Sequence, residues 1–156
     1  MGSGYALANQ RGRITVEIFG SVSEGVGVSG LVSFVSYLVT AAILTLIYVV
    51  IYISVTPHAE IKLIKQNNTA AALAFSGSLI GFALPLAIVI AHSVAIIDCA
   101  IWGMIAIVVQ VIIYFLVRIP VPGISSRIET GEIASGLWLA AASLTGGIIN
   151  AACMTY

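Results

Sequence analysis

"LVSFVSYLVTAAILTLIYVVIYISV", residues 31–55, carries no charged side chain in twenty-five positions, and its polar residues are only serine, threonine and tyrosine. A helix that faces water needs a polar stripe opposite its apolar one. This stretch has no charged face at all, and it exceeds the roughly 20 apolar residues that cross a bilayer's hydrocarbon core. The rest of the chain agrees with it. Of 156 residues, 60% are hydrophobic and 8% charged, with a mean hydropathy of +1.14. A soluble domain has about 25% charged residues, so too little charge is present to coat a water-facing surface. Six basic residues balance six acidic ones, which argues against nucleic acid as a partner.

Three further stretches are long and apolar enough to span: 69–92, 99–118 and 133–154. The fold class is therefore an all-α integral membrane protein with four transmembrane helices. Residues 1–30, glycine-rich with scattered charges, read as a flexible or interfacial lead-in. Within them "RITVEIF" (13–19) suits either a short strand or an interfacial helix.

Basic residues set the orientation. Lys62 and Lys65 follow the first span, Arg118 and Arg127 follow the third, and the connection 93–98 has none. Residues 56–68 and 118–132 are thus expected in the cytoplasm, with both termini outside. The four basic residues form a candidate docking surface for peripheral proteins or anionic lipid. In "TPHAEIKLIK" (56–65), Thr56 can cap and Pro57 suits the first helical position, with Ile61 and Ile64 on one side of a headgroup-level helix. A plain basic loop fits equally well.

The chain also repeats at a spacing of about 65. "LIYVVIYISVTP" (46–57) answers "IIYFLVRIPVP" (112–122), and "SGSLIG" (76–81) answers "AASLTG" (141–146). Two spans per copy is an even number, so the copies, 31–92 and 93–156, point the same way, as two parallel-repeated two-helix units. Asn68 and Glu132 correspond, each placed to cap the start of a return span.

Each span shows a small or polar stripe that lipid-embedded helices use to approach one another. The stripes are Ser33, Ser36 and Thr40; Thr69, Ala72, Ser76 and Ala83, beside the pair Gly77 and Gly81; Cys99, Gly103, Ala106 and Gln110; and Ser135, Ala142, Gly146, Asn150 and Cys153. Thr40, Ser76, Gln110 and Asn150 are the candidate interior polar residues. They either bond neighbouring helices or line a solute path, and Gln110, mid-span, is the most costly to leave unpaired. Pro85 is expected to kink the second span. Cys99 and Cys153 should meet at the outer face, as a disulfide or as two free buried thiols. No phosphate-binding, zinc or nucleophile motif occurs. His58 and His92 fall at opposite ends of a span, too far apart to share a metal. These features point to no catalytic residue, cofactor or metal, and to a non-enzymatic protein.

"TPHAEIKLIKQNNTAAALAFSGSLIGFALPL" (56–86) and the ending "GGIINAACMTY" (146–156) resemble the YjfL-like bacterial inner-membrane proteins, built from two copies of a domain of unknown function, family 350. The resemblance covers about residues 31–156. It implies a multi-pass inner-membrane location and no known reaction. It also implies a role in envelope stress or membrane maintenance, with peripheral stress proteins as partners. The expected function is accordingly a membrane scaffold or anchor, forming homo-oligomers in the lipid bilayer. The alternative is a homo-oligomeric channel or small-solute pathway.

Overall fold

The computed structural model describes residues 3–57 and 59–155, with side chains at Gln10, Gly12, Arg13 and from Gly27 onward. His58 lies outside the described residues. Among the described residues six helices follow one another: α1 (Ser3–Val55), α2 (Glu60–Lys65), α3 (Thr69–His92), α4 (Ile96–Val117), α5 (Ile124–Glu129) and α6 (Ile133–Cys153). No strand occurs among the described residues.

Among the described residues four segments are long and apolar enough to cross a membrane: Gly27–Val55, Thr69–His92, Ile96–Val117 and Ile133–Cys153. Even the shortest, at 21 residues, is about 31 Å long at 1.5 Å per residue, matching a hydrocarbon core of about 30 Å. The mean hydropathy of the last is 1.4 against 2.5 for the first and third, because glycine, alanine and serine replace branched residues there.

Two boundaries differ from the sequence reading. The lead-in is helical from Ser3, neither strand nor loop. No proline precedes Pro57, so nothing removes an N–H from the helical ladder before that point. α4 starts at Ile96 and not at residue 99, taking Asp98 into its first turn, where a carboxylate favours the positive end of the helix dipole.

The chain forms two compact units, Met1–Leu38 and Val39–Tyr156. The first is the initial part of α1. In the second, α3 and α6 pack along their length. Small residues make this contact: a Cβ on Gly77 would collide with Ala140, on Gly136 with the Ala70 carbonyl, and on Gly147 with the Gly81 carbonyl. Pro85, buried within an unbroken α3, has no N–H to give the Gly81 carbonyl four residues back. That freed oxygen is the one lying against Gly147. The proline thus frees the carbonyl that Gly147 of α6 packs against.

The two loops are built alike. α2 ends in a turn with Asn67 left-handed at φ 60°, its N–H bonded to the Ile64 carbonyl and the Asn68 N–H to that of Leu63. α5 ends with Gly131 at φ 83°, with the matching bonds from Gly131 to Ile128 and from Glu132 to Arg127. Both are the Schellman ending of a helix. Thr56 does not cap α2. Its hydroxyl bonds back to the Tyr52 carbonyl at 2.9 Å, closing α1, and α2 begins only at Glu60.

Candidate functional site

A polar cluster lies inside the second unit, bounded by α1, α3, α4 and α6. Its centre is Tyr48, whose ring stacks on Phe82 at 4.4 Å. The Tyr48 hydroxyl makes a short hydrogen bond with the Ser78 hydroxyl and donates to the Ser78 carbonyl at 3.1 Å. One turn toward the loops, Tyr52 meets Tyr114 edge-on at 5.9 Å and Phe75 at 5.8 Å. Aromatic pairs at such distances add specific attraction to their burial.

Gln110 reaches this cluster from α4. Its side-chain amide donates to the Ser143 carbonyl at 3.3 Å and, more weakly, to the Ser78 carbonyl at 3.5 Å. One amide therefore ties α4 to both return spans. Its oxygen and the Tyr114 hydroxyl are buried without a hydrogen-bonding partner among the described residues.

Glu60 is the member that sequence reasoning missed. It starts α2 between two spans and is fully buried, its carboxyl beside the Tyr52 hydroxyl. A charged residue in a basic loop reads as solvated. The available clue was spacing, since Glu60, Leu63 and Ile64 share one helix side. Ile61, expected to share a side with Ile64, is instead half-exposed, while Leu63 and Ile64 pack on the core.

The predicted interior residues do not form one line. Gln110 is buried, Thr40 and Asn150 are half-buried, and Ser76 is exposed on the outer side of α3. The stripe through Thr69, Ser76 and Ala83 faces outward, and the neighbouring face, with Ala70, Ala74, Gly77, Ser78 and Gly81, is the packed one. Small polar residues fit either face, but only the glycines permit the backbone contact with α6. The fourth stripe drifts likewise. Ser135 is buried, Ala142 and Gly146 are half-buried, and Cys153 is exposed. Cys99 is buried and both thiols are free, so only Cys99 lies in the interior, and they form no disulfide.

At the loop side, Asn68 caps α3 by accepting from the Ala71 N–H at 3.0 Å, and it donates to the Ile128 and Glu129 carbonyls of α5 at 2.9 and 3.1 Å. Glu132 holds the corresponding place before α6 but makes no such cap. Its carboxylate instead forms a two-pronged ion pair with Arg127. The longer glutamate side chain fits the cap geometry less well than asparagine, and the guanidinium competes for it. The Arg127 hydrogen bonds hold the Glu132 carboxyl below the usual range and raise Arg127. Arg118 lies over the Tyr114 ring at 5.6 Å. Lys62 and Lys65 are exposed.

Cavities mark both ends of the bundle. One of about 230 Å³ is lined by Val89, His92, Ser93, Asp98, Trp102 and Met154. Another of about 320 Å³ opens at the loop side among Leu63, Asn68, Glu129, Gly131 and Ile133. No group of three or more histidine, cysteine or acidic side chains able to hold a metal occurs among the described residues.

Residues 26–154 match the family model described as Domain of Unknown Function (DUF350). The chain is 43% identical over 126 residues to UPF0719 inner membrane protein YjfL of Escherichia coli strain K12, covering 81% of this chain and 96% of that protein. The protein of the same name from Escherichia coli O157:H7 matches with the same figures. No solved structure matches the chain.

Proposed function

The chain belongs to the DUF350 family, and from that premise we propose that it is a non-enzymatic scaffold or anchor of the bacterial inner membrane. The Escherichia coli relatives, named as inner membrane proteins, support the location. The observation that carries the scaffold reading is the filled interior. α3 and α6 approach at Gly77, Gly81, Gly136 and Gly147 with no space for an added methyl group. Gln110, the residue best placed to line a path, spends its amide on backbone carbonyls of both helices. Thr40, Ser76, Gln110 and Asn150 differ too much in exposure to line one channel through a single chain.

In this reading the α2 and α5 loops face the cytoplasm and both termini lie outside, as the placement of Lys62, Lys65, Arg118 and Arg127 favours. The chain is a duplicated two-span unit, a view supported by the matched turns at Asn67 and Gly131. Ser76 and Ala83, small residues on the outer side of α3, suit contact with a second copy. Peripheral partners in envelope stress or membrane maintenance would dock on the loop side.

The test is reconstitution of the purified protein into sealed vesicles, with efflux of small ions and of neutral solutes compared with empty vesicles. Equal leak is expected. Protein-dependent flux that Gln110→Leu alters would replace the scaffold by the channel.

A further inference from the structure

The four loop-side basic residues are not equivalent. Arg127 is neutralised by Glu132, and Arg118 rests over the Tyr114 ring. Lys62 and Lys65 on α2 are exposed and have no ion-pair partner among the described residues. At 100° per residue, Ile61, Lys62 and Lys65 fall within about 100° of one another, opposite the inward side of Glu60, Leu63 and Ile64. Glu60, fully buried, fixes which way the helix turns.

We propose that the outward side of α2 is a clamp for an anionic phospholipid headgroup, Lys62 and Lys65 taking the phosphate and Ile61 entering the acyl boundary. Three observations favour lipid over a soluble acidic protein. α2 lies between the end of one span, at Val55, and the start of the next, at Thr69, which is headgroup depth. Ile61 is 50% exposed beside the lysines, the apolar-plus-basic pairing of interfacial helices. Ile119 and Ile133, also exposed at this end of the spans, continue the apolar rim. The proposal rests on the scaffold reading only in taking the loop side as the docking side.

The experiment is native mass spectrometry of the full chain released from mixed phosphatidylcholine and phosphatidylglycerol bilayers, counting the lipids retained. The wild type should retain phosphatidylglycerol preferentially. The Lys62→Gln, Lys65→Gln double variant should lose that preference by roughly 25-fold, since each lysine near an anionic surface contributes about fivefold. Ile61→Ser should weaken retention of either lipid. An unchanged preference in the double variant overturns the clamp, as does binding of soluble polyglutamate as tight as that of phosphatidylglycerol vesicles. Vesicle leak would sink the scaffold reading and leave this result standing, so the two failures are distinguishable.

Discussion

The α3–α6 seam and the Val39–Val55 part of α1 solve the same problem with opposite materials. At the seam, backbones touch because glycine and alanine stand at each crossing point. α1 reaches its neighbours with Leu44, Tyr48 and Tyr52, all buried, large side chains that fill the gap, the two tyrosines carrying hydroxyls into it. Lipid tails are as apolar as leucine, so burial alone gives helices little reason to associate. The seam gains from close dispersion contacts, which tolerate no added volume. The tyrosine face gains from bonds such as Tyr48 to Ser78, which tolerate small changes of shape but not loss of a partner.

The sharpest break of this comparison is Gly81→Val. Its side chain would meet the Ser143 carbonyl and the Gln110 amide, and overpacking of this kind should cost about 3 kcal/mol. Unfolding in detergent with increasing sodium dodecyl sulfate would measure it, and a cost near zero would mean that the seam is loose. Glu60→Ala probes the other side. Removing the buried carboxyl strips the Tyr52 hydroxyl of its neighbour, and the same assay should register about 2 kcal/mol. An effect within error would place Glu60 in water.

Gln110→Leu tests the point where the two regions join. It should cost on the order of 1 kcal/mol, with the chain still folded. The smallest effect is confined to the second loop. The Glu132 carboxyl is held low by Arg127, so its contribution is present above the unfolded carboxyl value and fades as pH falls through the folded one. Arg127, raised by the same pair, loses its part only in strong alkali. Hydrogen-exchange protection at the α5–α6 turn, taken relative to the intrinsic rate at each pH, should therefore fall toward acid in the wild type, and Glu132→Gln should remove that dependence.

The spans were legible because absence of charge over twenty residues has one physical meaning. Gln110 was legible for the same reason, an amide that hydrocarbon cannot satisfy. The seam was half legible. Gly77 and Gly81 marked it, while the stripe through Ser76 and Ala83 chose the adjacent face, since small polar residues pack against lipid or helix alike. Glu60 was hidden because burial of a loop carboxyl depends on tyrosines that converge only after folding. Glu132 was misread as a cap because its guanidinium partner, five residues back, reaches it only after the turn at Gly131 forms. The helix over residues 3–30 gave no periodic pattern, glycines and charges being spread around it.

The central claim is that no water path runs through the chain, and labelling of an engineered cysteine tests it most directly. With Cys99 and Cys153 replaced by alanine, Gln110→Cys in intact vesicles should resist a charged methanethiosulfonate reagent, while Lys65→Cys in the same background reacts readily. Rapid labelling at position 110 would contradict the account, because only water reaching mid-membrane could carry the reagent there.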